Sequence, residues 1–168
     1  MIFRFLSKNF YISFLIVALI YILDRLSKIY VIQLDKNNLG TDIFNSTYLN
    51  IVLIWNKGIA FGLLSFNESY IYNIISLIIS IIIIILVTMS LKSQGFKRYF
   101  LLIIVGGALG NLHDRIFFKA VPDFIDLHVG NFHWFIFNVS DIFITIGIIL
   151  MIIIEIIKKP EATNNEKI

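Results

Sequence analysis

Long apolar runs broken by short polar segments dominate this chain. A helix that crosses hydrocarbon needs about 20 mostly apolar residues. Four stretches meet or nearly meet that length: Phe10 to Leu34, Ile71 to Leu91, Phe96 to His113 and Phe135 to Ile157. The second is almost pure isoleucine and leucine. The first carries Asp24, Arg25 and Lys28 in its second half, and the fourth has Asn138 and Asp141 near its start and Glu155 near its end. Between the first two runs the pattern changes. Tyr48 to Trp55 is rich in β-branched and aromatic residues, Asn56-Lys57-Gly58 reads as a turn, and Phe61 to Leu64 leads back towards the membrane. The expected architecture is an all-α membrane protein in one domain, residues 1–168, with a small β element over 42–64 on the bilayer surface. A second amphipathic piece is expected within 124–134, where Phe132, Trp134 and Phe135 suit the headgroup level.

Composition makes the bilayer the expected solvent. Of 168 residues, 58% are hydrophobic, against roughly 45–50% apolar in soluble domains, and the mean hydropathy is +0.88. There are no cysteines, which excludes disulfides, thiolate catalysis and cysteine-bound metal. His113, His128 and His133 read as too few and too scattered for a metal site, and no cofactor is expected. The net charge of +3 reads as topology signalling, with no nucleic-acid partner implied. Arg4 and Lys8, then Lys92, Lys97 and Arg98, then Lys158 and Lys159 all fall on one side of a four-span chain. Lys36, Lys57 and Lys119 are the sparser set opposite. Cytoplasmic loops carry the excess of Lys and Arg, so both termini are expected inside and segments 35–70 and 114–134 outside. The first run is too long for a cleaved leader and no small-x-small site follows it, so it reads as a permanent span. The tail from Lys158 to Ile168 is polar and expected to fray.

Ionisable side chains in hydrocarbon cost about 2.5–3.5 kcal/mol each at a helix centre and persist when paired or functional. With this topology they gather at the outer helix ends: Asp24 and Lys28, Asn111 with Asp114 and Arg115, Asp123, and Asn138 with Asp141. Each has a plainer reading beside the functional one. Asp24 and Lys28, four apart, suit an ion pair or a substrate contact. Arg115 suits snorkelling or clamping a carbonyl or carboxylate. Asn138 and Asp141 suit an N-cap with an acid in the first turn. Gly106 and Gly110 suit close helix packing. Asp126 and Glu155 read as solvated or interfacial.

Two carboxylates in one small site do not both ionise easily, so they share a proton. The ionised member can take a proton from water. The protonated member can donate to a carbonyl oxygen and then to a leaving nitrogen. Asp123 and Asp141 are the candidates for such metal-free peptide hydrolysis.

Five segments, in order, carry a family resemblance: Asp24-Arg25-Leu26-Ser27-Lys28, Asn56-Lys57-Gly58-Ile59-Ala60-Phe61, Gly106 through Arg115, Val121-Pro122-Asp123-Phe124-Ile125, and Phe137-Asn138-Val139-Ser140-Asp141. The chain resembles the lipoprotein signal peptidases (signal peptidase II), over nearly its whole length. The resemblance implies a membrane aspartic endopeptidase of the bacterial inner membrane. It would cut diacylglyceryl-modified prolipoproteins just before the lipidated cysteine. It implies Asp123 and Asp141 as the catalytic dyad, and Asp24, Lys28, Asn56, Gly107, Asn111, Arg115 and Asn138 as substrate-binding or site-shaping residues. It also implies a β-cradle in the outer segment and inhibition by globomycin; a monomer among membrane lipid is the expected state. Ser140 stands where the family usually has alanine, and Pro122 stiffens the approach to Asp123.

A small transporter or channel is the rival from another class, since transporters also carry intramembrane acids. The charges here lie at one end, the second and fourth runs lack polar stripes, and no inverted repeat is apparent. A scaffolding role explains the helices but not paired aspartates flanked by asparagines.

Overall fold

A computed structural model describes residues 8–37, 43–58 and 69–157. The motif residues Ile59 to Phe61, the run to Leu64, the flanking Arg4, Lys158 and Lys159, and the polar tail lie outside the described residues. In chain order the elements are α1 (Lys8–Asn37), β1 (Phe44–Asn45), β2 (Leu49–Asn56), α2 (Ser69–Lys92), α3 (Phe96–Phe118), β3 (Val121–Val129), β4 (Phe132–Phe137) and α4 (Val139–Ile157). The four helices are each long and apolar enough to cross a membrane. The protein is thus a multi-span membrane protein with a small antiparallel sheet.

α3 is the centre of the bundle. Of its span 56% is buried, against 17% or less for the other three. Its small residues explain why. A methyl at Gly106 would meet the Ile20 side chain of α1 at 2.9 Å, and one at Gly107 would meet the Ser140 carbonyl of α4 at 2.6 Å. From the other side, a methyl on Gly147 of α4 would meet Ile104 of α3 at 2.5 Å. Such backbone approach is how helices pack where no hydrophobic effect drives them together. The outward isoleucines and leucines of α1, α2 and α4 stay exposed, as lipid-facing side chains do.

The strands form one sheet in the order β1-β2-β3-β4. β2 is where the strand-forming run predicts it. The fourth run is corrected: Phe135 to Phe137 belong to β4, and α4 starts at Val139. The aromatic-rich segment Phe132–Phe137 pairs with β3, with Ile125 opposite Phe137 and His128 opposite His133. The expected second amphipathic piece is therefore a β-hairpin. The third run is also longer than its apolar stretch, continuing to Phe118. His113, Asp114 and Arg115 do not end it because their polar groups find partners inside the bundle. Lys119 then turns the chain with a left-handed φ of 56°. Pro122 is tolerated in β3 because β4 pairing starts only at Ile125, so at Pro122 the strand has one neighbour instead of two.

Candidate active site

α1, α3 and the start of α4 bring a charged cluster together inside the bundle. Lys28 is almost fully buried, and its Nζ reaches Asp24 Oδ1 at 2.9 Å, Asp114 Oδ2 at 2.7 Å and Asn111 Oδ1 at 2.9 Å. All three ammonium donors are thereby used. Arg25 reaches Asp114 Oδ1 at 2.6 Å and Asp24 Oδ2 at 2.8 Å. The i, i+4 pair expected between Asp24 and Lys28 is present, within a network of two acids and two bases. Asp24 also accepts the Ser140 backbone N–H at 3.0 Å, tying α1 to the first turn of α4. Sequence reasoning gave Arg25 and Asp114 no role. The signal was available as charge counting, since two acids and two bases in neighbouring spans demand pairing.

A second cluster holds Asp123 and Asp141 and is built from amides. Asn56 Nδ2 donates to Asp123 Oδ2 at 2.8 Å, and Asn138 Nδ2 to Asp123 Oδ1 at 2.6 Å. Asn111 Nδ2 donates to Asp141 Oδ1 at 2.8 Å, and the Asn138 backbone N–H to Asp141 Oδ2 at 3.2 Å. Each of the four carboxylate oxygens thus has an amide N–H. The orientation of each asparagine is set from its other end. Asn111 Oδ1 faces Lys28, Asn56 Oδ1 accepts the Gly58 N–H at 2.8 Å, and Asn138 Oδ1 accepts the Asp141 N–H at 3.2 Å. A flipped amide would set donor against donor.

Local structure explains how these residues meet. Asn56 pairs with Val121 across β2 and β3, so Asp123, two residues on, is its diagonal neighbour. Asn138 and Asp141 exchange backbone and side-chain hydrogen bonds as a capping box does. The capping expectation therefore holds, and the same asparagine reaches Asp123. Asp123 is 4% exposed. Burial pushes its carboxyl up from 3.8 to about 6; the Asn56 hydrogen bond opposes the rise and the nearby Asp141 charge adds to it.

Arg115 is buried and donates to the carbonyls of Asn111 and Gly58, both at 3.3 Å, so it clamps backbone rather than snorkelling. Gly107 lets α4 approach within reach of Asn111. Ser140 is fully buried and its hydroxyl has no partner among the described residues. Asp126, read as solvated, is instead 3% exposed and accepts from His133 and Asn50. Glu155 is exposed and pairs with Lys97.

Two cavities meet at Asp141 and Thr145. One, of about 470 Å³, is lined by Asn56, Asn111, Arg115, Asp123 and Asn138 along with apolar residues of α2 and α4. The other, of about 660 Å³, is walled by the hairpin aromatics Phe132, Trp134, Phe135 and Phe137 and by Ile142 and Ile146.

Comparison with known proteins adds to this geometry. A family model described as "Signal peptidase (SPase) II" matches residues 16–157. The chain belongs to the lipoprotein signal peptidase family. The lipoprotein signal peptidase of Pelagibacter ubique (strain HTCC1062) is 49% identical over 159 residues, covering 95% of this chain and 96% of that protein. The lipoprotein signal peptidase of Anaplasma phagocytophilum (strain HZ) is 39% identical, covering 89% and 95%. A solved bacterial membrane enzyme at 2.3 Å resolution shares the fold with a TM-score of 0.69 and 31% identity, covering 93% of both chains. Signal peptidase II enzymes are proteases, and both clusters described above lie within the matched residues.

Proposed function

We propose that this chain is a metal-independent aspartic endopeptidase that removes the signal peptide from diacylglyceryl-modified prolipoproteins, cutting just before the lipidated cysteine. Asp123 and Asp141 are its catalytic pair. The observation that carries the reading is the amide setting of these two carboxylates. Neutral donors hold all four oxygens in place without a direct ion pair, so one proton remains available for catalysis. Asp123, its carboxyl raised to about 6 by burial, carries the proton in a minority of molecules at neutral pH, and in that form donates it to the scissile carbonyl oxygen. Asp141 takes a proton from the attacking water. The tetrahedral intermediate then collapses as the leaving nitrogen is protonated, and the pair returns to its singly protonated state.

The remaining site residues serve this pair. Asn56, Asn111 and Asn138 orient the carboxylates, Arg115 holds the segment at Gly58, and Gly107 lets α4 come close. Asp24 and Lys28 anchor Asn111 and the α4 start. The apolar cavity beside Asp141 suits the apolar part of a lipidated substrate, whose acyl chains stay in the bilayer while the peptide bond reaches the pair. Confinement to the membrane raises the effective concentration and aligns the bond. On this reading the protein is a one-domain monomer of the bacterial inner membrane. Both termini are cytoplasmic, the site lies near the outer face, and globomycin is an inhibitor.

The test is a gel-shift assay with purified protein, a diacylglyceryl-modified prolipoprotein and its unlipidated precursor. Wild type should cleave the lipidated form alone, with or without EDTA. Asp123→Asn and Asp141→Asn should each lose about 1,000-fold or more in rate, within the range for removing a proton-transfer group. Substantial cleavage by either folded variant would refute the mechanism.

A further inference from the structure

The β3–β4 hairpin carries a separate set of ionisable side chains. Asp126 and His128 lie on β3, and His133 lies opposite His128 on β4. The His128 backbone N–H donates to the Tyr48 carbonyl of the segment before β2, at 3.1 Å, and so points away from β4. His128 and His133 therefore form a non-hydrogen-bonded cross-strand pair, where side chains approach most closely. Their rings stack with centroids 5.0 Å apart. Asp126 Oδ2 lies 2.8 Å from His133 Nδ1, and Asn50 Nδ2 donates to the same carboxylate at 3.3 Å. One ligand atom from each of Asp126, His128 and His133 falls within 4.8 Å of the other two. His128 Nδ1 is buried and has no hydrogen-bond partner among the described residues.

We propose that Asp126, His128 and His133 form a binding site for a zinc-class divalent cation that staples β3 to β4. Two imidazoles and a carboxylate are the donor set that zinc takes, with water in a fourth position. Magnesium and calcium prefer all-oxygen sites. Tetrahedral zinc at about 2.0–2.1 Å from its ligands sets them about 3.3 Å apart. The trio reaches that spacing by side-chain rotation, for which the His133 side chain, 53% exposed, has room. His128 has no competing side-chain partner at its buried Nδ1 among the described residues, so its ring is not committed elsewhere through that nitrogen. Asn50 orients the carboxylate from outside the ligand set, as supporting residues around metals do. The site is distinct from the aspartate pair and does not depend on the peptidase reading.

The experiment is isothermal titration of Zn²⁺ into the full chain, purified in detergent without a polyhistidine tag and stripped of metal beforehand. One saturable equivalent is expected, with no binding of Mg²⁺. His133→Ala and Asp126→Asn should each weaken binding at least roughly tenfold, the lower end of what loss of even a supporting residue costs. His113→Gln should leave the titration unchanged, because His113 hydrogen-bonds Tyr21 elsewhere in the bundle. Absence of saturable Zn²⁺ binding by wild type would overturn the proposal. So would binding of wild-type strength in both hairpin variants. Circular dichroism checks that His133→Ala is folded; if it is not, Asp126→Asn, which keeps the side-chain size, gives the same readout.

Discussion

Two buried polar clusters sit side by side in this bundle and solve the same problem differently. Around Lys28, two carboxylates face two cations and every charge is matched. Around Asn138, two carboxylates face amides. The clusters touch through Asn111, which accepts from Lys28 and donates to Asp141, and through the α4 start, where Asp24 holds the Ser140 N–H. A matched ion network fixes geometry and leaves no proton to move. An amide-held pair keeps its geometry too and, on the proposed reading, leaves one proton mobile. The first cluster is suited to rigidity and the second to chemistry, and the difference lies in which donors surround otherwise similar acids.

Breaking the first cluster should produce the largest stability effect. Lys28→Met removes the group that satisfies three acceptors and leaves Asp24 and Asp114 short of positive charge. Loss of one partner of a buried ion pair costs about 3–5 kcal/mol, which denaturant unfolding in detergent would register. A loss below about 1 kcal/mol would mean the network is not the anchor described.

The second cluster should behave in the opposite sense. At low pH, Asp123 is protonated in folded and unfolded chains alike. As pH rises through 3.8 the unfolded chain ionises, while the folded chain keeps the proton up to about 6. Stability therefore falls across that window and levels off above it. The displacement corresponds to roughly 3 kcal/mol. Asp123→Asn removes the penalty but strands one asparagine donor. The variant should thus be more stable than wild type at neutral pH by roughly 1–3 kcal/mol, with a flatter profile between the two values. A variant less stable than wild type at neutral pH would contradict the burial cost assigned to Asp123.

Helix approach beneath both clusters gives a smaller effect. Gly107→Ala forces a methyl against the Ser140 carbonyl and should cost about 1–3 kcal/mol with a drop in cleavage rate. A methyl at Gly106 meets Ile20 Cβ at 2.9 Å and the Val17 carbonyl at 3.3 Å, both looser than the 2.6 Å contact at Gly107, so Gly106→Ala should cost less. Equal losses would argue against α4 seating as the sensitive contact. The Lys97–Glu155 pair supplies the baseline. It spans 3.2 Å between side chains 30% and 63% exposed, and Glu155→Gln should change stability by less than about 1 kcal/mol.

The four spans were legible in the sequence because apolar length is a strong signal, and β2 because its β-branched run is bounded by a turn. Asp123 and Asp141 stand out in the sequence through their motifs, and Asp141 also as an acid at a helix start, whereas Asp123 lies on a strand. The hairpin was not: Phe135 to Phe137 continues directly into an apolar helix, and hydropathy does not separate an aromatic strand from the helix that follows. Only the cap at Asn138 marks the break. The burial of Asp126 has no local signal, because its partners, Asn50 and His133, come from two other strands and their register includes a bulge. Arg25 and Asp114 were passed over because their pairing crosses from α1 to α3.

Asp123 and Asp141 ride on different bodies, one on the sheet and the other on the first turn of a helix long enough to span a membrane. At 1.5 Å per residue, the 19 residues of α4 measure about 28 Å, close to the roughly 30 Å of a typical hydrocarbon layer. A slip of α4 by one residue would carry Asp141 about 1.5 Å along the axis and turn it through roughly 100°, out of line with Asp123. Asn138 is the joint between the two bodies, because it holds one carboxylate with its side chain and the other with its backbone, and such a slip would break one of those holds.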